Sequence, residues 1–261
     1  MHREGACLDA ARDVVRNAGR IVFFTGAGMS AESGIATFRD SLTGLWERFD
    51  PALLASAEGY ETDPALVWGW CEWRRQKVML ATPNAGHRAI AEFTARAAPR
   101  VVHVVTQNVD DLHERAGSSG VIHLHGSILS PRCFRCATPA PSTLVDVIPN
   151  EPEGGRRVDP PNCPSCGGKI RPGVVWFGEA LPASAFADAT QLAQTAEAFV
   201  VVGTSGVVEP AASLVRRARH HGATVIAIDP QPSAATQEAS VWIEGTAAVV
   251  LPQLLSVNSE V

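Results

Sequence analysis

The chain has 261 residues, 46% of them apolar, a formal net charge of −5 and six cysteines, so it can bury a large core with a smaller appendage beside it. That charge gives no general electrostatic reason to hold nucleic acid, and no run of about 18 uncharged apolar residues exists to span a bilayer. Glu4 and the helical spacing of Leu8, Ala11, Val14 and Val15 read as a helix rather than an export signal, so a cytoplasmic protein is expected.

In chain order, the patterning predicts a helix over residues 8–18 and a buried strand over 20–25, then Gly26-Ala27-Gly28 and a helix opening near Ala31. A strand that ends in Gly-x-Gly brings backbone N–H groups to a helix N-terminus, where no side chain blocks a pyrophosphate. The triplet alone also suits a tight turn that needs positive φ. A tryptophan-bearing helix follows over 64–80, another over 87–97, a strand over 101–105 and a short apolar stretch over 121–124. Later come a strand over 199–203, a helix around 210–220 and a strand over 224–228. Short apolar strands alternating with helices predict a doubly wound, mostly parallel α/β sheet with ligand loops at the strand C-termini. Residues 41–83 and 128–170 read as excursions without sheet components that form a small domain, leaving 1–40, 84–127 and 171–261 for the large one.

Cys133, Cys136, Cys163 and Cys166 form two Cys-x-x-Cys pairs near Pro or Gly, the spacing of a closed tetrahedral site for one structural Zn²⁺. Cys7 and Cys71 are left as free thiols of the core. Four polar loops follow predicted strands: Gly26 to Ser30, Gln107 to Asp110, His123 to Ser127, and Gly203 to Ser205. Each alone is an ordinary capped turn, but in a doubly wound fold all four converge on one crevice.

The strings GAGMSAESGIATFRD, TQNVDDLHERAG, HLHGS, the paired Cys-x-x-Cys motifs, RPGVVWFGE and VVVGTS, in that order, resemble the sirtuins, NAD-dependent protein deacylases. The resemblance runs from about residue 20 to residue 252. It implies a Rossmann-like large domain, a small zinc-ribbon and helical domain, and substrate bound between them. It further implies that the acyl-lysine oxygen attacks the ribose carbon of NAD⁺ as nicotinamide leaves. A histidine base then lets the ribose 2′ oxygen take the acyl group, giving free lysine and O-acyl-ADP-ribose. The base maps to His125, which precedes the Gly-Ser of the motif, although alternation puts His123 on the same face. Asn108 and Asp110 map to residues that order the ribose and hold the nicotinamide carboxamide. Gly26, Ala27, Gly28, Ser30, Gln107, Gly203, Thr204, Ser205 and Ala247 map to the cofactor, Phe38 and Arg39 to its loop. Asp229-Pro230 stands where many relatives have Asn, and its charge reads as a discriminator against NADP⁺. Val174, Trp176, Phe177 and Gly178 map to an edge to which a substrate peptide adds as a strand.

The segment Leu66 to Arg75 resembles the one that presents Tyr-x-x-Arg to acidic acyl chains in the desuccinylase branch of the sirtuins. Arg74 falls on the arginine, Cys71 replaces the tyrosine, and Ala55 matches a small residue that widens the acyl pocket. Losing the tyrosine hydroxyl costs about 1.5–3 kcal/mol, on the order of ten- to a hundredfold. Succinyl- and malonyl-lysine are therefore expected substrates beside acetyl-lysine, and a thiol at Cys71 makes oxidant sensitivity a further expectation. The competing readings are ADP-ribosyl transfer or NAD⁺ hydrolysis in the same pocket, and a zinc-ribbon module that binds nucleic acid. Acidic residues of 146–159 oppose the second. The expected partners are acylated lysines of proteins, with no nucleic acid and no membrane, and a monomer is expected.

Overall fold

The computed structural model describes residues 2–36, 54–140 and 156–256. Six strands, β1 (Arg20–Thr25), β2 (Val101–Thr106), β3 (Ile122–His123), β6 (Ala198–Val202), β7 (Thr224–Asp229) and β8 (Val241–Glu244), form one sheet in the order β3-β2-β1-β6-β7-β8, every pair parallel. Between them, β4 (Gly126–Cys133) and β5 (Ile170–Val174) make a separate antiparallel pair.

Period-two alternation explains the three layers. Ile21 and Phe23 of β1, with Val200 and Val202 of β6, face one apolar cluster, into which α1 (His2–Asn17) sends Ala11 and Val15. Val22, Phe24, Phe199 and Val201 face a second cluster on the opposite side. Two helices of 64–80 and 85–95 precede β2: α2 (Ala57–Thr62) leads into α3 (Pro64–Leu80) and then α4 (Ala85–Ala95). Asp63 caps α3 through the Leu66 N–H with Pro64 in its first turn, and Asn84 caps α4 through the Gly86 and His87 N–H groups. After α5 (Leu112–Arg115), the second cluster is covered by α6 (Ala183–Thr195) and α7 (Ser213–His220). Beyond α8 (Ala234–Glu238), α9 (Ala247–Leu255) returns to the first cluster with Ala247, Val250, Leu251 and Leu254.

Three differences from the sequence reading have physical causes. The α-helix expected at Ala31 is replaced, among the described residues, by two 3₁₀ turns over Ala27–Met29 and Ala31–Ser33, stopped by Gly34 at φ +82°. The excursion expected to lack sheet carries β4 and β5, which run across the positions 127/128 and 170/171 chosen as boundaries. Residues 183–195 and 241–255 carry no element in the sequence pattern but fold as α6, β8 and α9: β8 is a four-residue edge strand, and α9 hides its period in an almost wholly apolar run with Pro252 inside.

A third apolar cluster joins α3 to the β4–β5 pair through Trp68, Trp70, Cys71, Ile128, Ile170 and Trp176, with Cys133 and Cys163 at its edge.

Candidate active site

Strand order reverses between β1 and β6, and a crevice at such a switch point takes ligands at the strand C-termini. Gly26 and Gly28 are required there by close approach of two loops rather than by turn geometry. A Cβ on Gly28 would stand 2.6 Å from the Gly203 Cα, one on Gly26 2.7 Å from the Thr204 Cβ, and Gly203 itself has φ +58°. The Gly28 N–H donates to the Gly203 carbonyl at 2.9 Å, and Gln107 Nε2 donates to Thr204 Oγ1 at 2.9 Å. Thus the loops after β1, β2 and β6 are bonded to one another.

Under this rim lies a polar chain. Asn108 Nδ2 donates to Ser30 Oγ at 3.0 Å, and Ser30 Oγ donates to Asp110 Oδ2 at 2.9 Å. Asp110 Oδ1 also accepts from the Leu112 N–H. Burial raises the Asp110 carboxyl above its ordinary range, against the lowering by these hydrogen bonds. Ser30, one of the residues mapped to the cofactor, is 1% exposed with both sides of its hydroxyl engaged, so it holds Asn108 and Asp110 in register. Thr25 and Thr106 extend the chain downward: Thr25 Oγ1 donates to Thr106 Oγ1, which accepts the Asn108 N–H, and His113 Nε2 meets Thr25 Oγ1 at 3.0 Å.

The two histidines that alternation leaves equivalent are separated by their partners. His125 Nδ1 lies 2.8 Å from the Gln107 carbonyl, which only accepts, so the proton sits on Nδ1 and Nε2 carries the lone pair. No described residue bonds that Nε2, and burial lowers the pKa against the raising effect of the carbonyl, so the ring is a neutral base. His123 Nδ1 likewise donates to the Asn108 carbonyl, but its Nε2 faces the Glu114 carboxylate at 2.7 Å. Two acceptors demand two donors. Burial opposes the charge on His123, but Glu114, the Asn108 carbonyl and Asp110 together raise its pKa, so the protonated ring is the form that braces the loop. Glu114 went unread in the sequence because nothing in its spacing marks a partner nine residues away.

Arg74 of α3 is half-buried, with its guanidinium carbon 4.9 Å from the Trp70 ring centre and no carboxylate paired to it among the described residues. Burial lowers its pKa, while Cys71 and Asp110 act to raise it, so the acyl side and the cofactor loop share one electrostatic neighbourhood. Cys71 is 2% exposed and its thiol is pushed up to about 12, chiefly by burial. A protonated, enclosed thiol is inert, which removes the expected oxidant sensitivity. Ala55 is half-buried beside them, and its carbonyl accepts the Phe177 N–H at 2.9 Å.

The mapped peptide edge is more committed than expected. Val174 pairs with Gly126, Val175 N–H donates to the His125 carbonyl, Trp176 N–H to Glu179, and Phe177 N–H to Ala55. Trp176 is buried, whereas Phe177 is 52% exposed. Gly178, exposed at φ +84°, has no backbone hydrogen bond to a described residue, so within the segment it offers its peptide groups outward.

Of the remaining cofactor positions, Ala27 and Ser205 are half-buried at the rim. Asp229 ends β7 with its carboxylate accepting the Gln231 N–H at 3.0 Å, next to an exposed Pro230. Ala247 is 3% exposed with its methyl in the core at the start of α9, so its backbone alone can face a ligand. Phe38 and Arg39 lie outside the described residues.

The sulfurs of Cys133, Cys136, Cys163 and Cys166 all lie within 4.8 Å of one another. Cys133 to Cys166 is 3.5 Å and Cys136 to Cys163 is 3.8 Å; a tetrahedron with Zn–S of about 2.3 Å has edges of about 3.8 Å. N–H groups of Cys136 and Gly168 point at Cys133 Sγ and Cys166 Sγ, as thiolates require. The four residues fit one closed zinc site.

Residues 26–210 match the Sir2 family. A Pseudomonas aeruginosa protein named NAD-dependent protein deacylase 1 is 54% identical over 248 residues, 95% of this chain and 98% of that protein. The crystal structure of a Sir2 homologue–NAD complex superposes with a TM-score of 0.82 at 40% identity, covering 95% of this chain and 92% of the other. A Sir2 protein bound to a myristoylated histone peptide gives 0.75 at 32% identity, with 96% and 95% covered. The ordered loops at the switch point, the four-cysteine site and these likenesses lead to one conclusion: the chain belongs to the Sir2 family, the sirtuins.

Proposed function

We propose that this protein is an NAD-dependent protein-lysine deacylase that takes acidic acyl groups, succinyl and malonyl, as well as acetyl. The observation that carries the reaction is the open lone pair of His125 Nε2 at the edge of the crevice. NAD⁺, when bound, supplies an electrophilic ribose carbon for the acyl oxygen as nicotinamide departs. Asn108 and Asp110, fixed through Ser30, orient polar groups of that ligand, and His125 accepts a ribose hydroxyl proton at Nε2. Gln107, by holding Nδ1–H, keeps the base in that tautomer. Relatives named NAD-dependent protein deacylases, and separate Sir2 structures with NAD or a myristoylated peptide, support this reading over plain NAD⁺ hydrolysis or ADP-ribosyl transfer.

The acyl class rests on Arg74. A half-buried guanidinium without a carboxylate partner among the described residues is electrostatically incomplete, and a bidentate contact from an acyl carboxylate would complete it. Asp229 favours NAD⁺ over NADP⁺ by repelling a nearby phosphate. The cell setting we infer is cytoplasmic, acting on protein-borne lysines.

The test compares kcat/KM for succinyl-lysyl and acetyl-lysyl forms of one peptide, with products identified by mass spectrometry. O-Succinyl-ADP-ribose and a ratio of one or more are expected. Acetyl transfer with a ratio far below one would sink the acyl assignment, and nicotinamide release without any acyl-ADP-ribose would sink the deacylase reading.

A further inference from the structure

We propose that Arg171 and Glu179 are positioning residues for the acyl-peptide edge: their ion pair closes residues 171–179 into a rigid clip that fixes where Phe177 and Gly178 stand. The proposal rests on the deacylase reading above.

Arg171 is 3% exposed and nearly every donor of its fork is used. Nη1 donates to Glu179 Oε1 at 2.5 Å and Nη2 to Glu179 Oε2 at 3.0 Å, a bidentate pair. Nη2 also donates to the Val174 carbonyl at 2.8 Å, and Nε to the Pro172 carbonyl at 3.2 Å. The guanidinium carbon lies 3.4 Å from the Trp176 ring centre. Glu179 completes the closure by accepting the Trp176 N–H at 2.9 Å, while its own N–H donates to the Trp176 carbonyl at 3.0 Å. Both ends of the chain segment and its middle are therefore held by one planar cation and one carboxylate.

What the clip holds is the meeting point of the site. Val175 N–H is bonded to the His125 carbonyl, and Phe177 N–H to the Ala55 carbonyl, so the clip spans the distance between the base and the acyl pocket. Immediately beyond, Phe177 and Gly178 turn outward. Burying an ion pair of this kind gives little net stability compared with apolar side chains of similar size. Its fixed fork geometry does give direction: a shift of about 1 Å in a positioning element is enough to cost on the order of a hundredfold. Trp176 further stacks on Tyr60 at 5.3 Å, and Tyr60 on Phe134 at 5.2 Å, the residue beside Cys133, so the back of the clip rests on the cysteine knuckle.

The experiment uses the zinc-loaded full chain with NAD⁺ and an acetyl-lysyl peptide, comparing wild type, Glu179→Gln and Arg171→Lys. In both variants the peptide KM is expected to rise about ten- to a hundredfold, with kcat and the NAD⁺ KM within about twofold. Arg171→Lys keeps the charge and loses the fork, so full rescue by lysine would overturn the clip. A peptide KM unchanged in both variants, or equal losses for peptide and NAD⁺, would also overturn it. Wild type that deacylates no peptide defeats the deacylase reading instead, and the clip with it. If neither variant folds, amide exchange in wild type decides: Trp176 N–H is expected to exchange slowly, and exchange at the rate of an exposed amide refutes the proposal.

Discussion

The crevice between β1 and β6 sits on a sheet with apolar clusters on both faces, whereas the cysteine knuckle hangs on two antiparallel strands with a single shared cluster. In the first region the polar groups are passengers on strand ends that burial has already placed, and in the second four sulfurs stand where a core would be. A sheet of that kind tolerates the loss of a catalytic side chain. A knuckle of that kind does not tolerate the loss of its metal.

Zinc removal is the harshest way to test that contrast. Structural zinc sites contribute about 10–16 kcal/mol to their folded units at neutral pH. A chelator is expected to unfold the β4–β5 unit and expose Trp176, Trp68 and Trp70, read as a red shift and fall in tryptophan fluorescence, while most far-UV signal from the parallel sheet and its helices persists. Loss of both signals in one transition would show that the two regions are not energetically separate. On the crevice side, His125→Ala is expected to lower kcat by about 10²–10⁴-fold with ADP-ribose affinity and thermal midpoint nearly unchanged. His123→Ala, which unbraces Glu114 and the Asn108 loop, is expected to destabilise the fold and weaken cofactor binding instead. The reverse pattern would exchange the assignments of the two rings.

Beneath the crevice the sheet has a weakness of its own, which acid should find. His87 and His113 are buried with ring centres 4.9 Å apart, and among the described residues His87 Nε2 and His113 Nδ1 have no hydrogen-bond partner. Burial, with the nearby positive groups, depresses their pKa values to about 4 and about 3. Unfolded rings titrate near 6.5. The unfolded chain therefore binds more protons below that pH, and stability present above pH 6.5 is lost as pH falls toward 4, on the order of 3 kcal/mol for one ring. Denaturation midpoints measured from pH 7 to 4.5 are expected to decline, with a shallower slope in His113→Gln. Equal slopes would mean that the pair does not titrate in this way. The zinc thiolates, deprotonated when folded and protonated when unfolded throughout this range, add the same decline to both proteins, so the change of slope in His113→Gln is what reports the ring.

Strands β1, β2, β6 and β7, α3 and the zinc ligands were legible because each is announced locally, by a continuous apolar run, by a capped helical period or by paired cysteines. The loops that reach the crevice were legible because they follow those strands. What could not be read is whatever depends on contacts far apart in sequence. Gly28 is glycine because of Gly203, and Ser30 is buried because Asn108 and Asp110 close over it. His123 and His125 share a face, and only Glu114 and Gln107 tell them apart. Likewise the sequence marks Cys71 as a pocket residue beside Arg74, but its chemistry follows from enclosure by the third cluster.

Arg74 is where the two regions meet, since α3 packs with the knuckle strands while the guanidinium feels Asp110 in the crevice. Arg74→Met keeps most of the aliphatic stem and removes the charge that sits over Trp70, so stability should change little. If Arg74 reads the acyl carboxylate, kcat/KM for succinyl-lysine is expected to fall about ten- to a hundredfold, the worth of one charged contact, while acetyl-lysine is nearly unaffected or improves. Arg74→Lys should fall between the two, because a lysine supplies the charge without the bidentate fork. Equal losses on both acyl groups would instead make Arg74 a support for the cofactor loop through Asp110, and would move acyl selection away from α3.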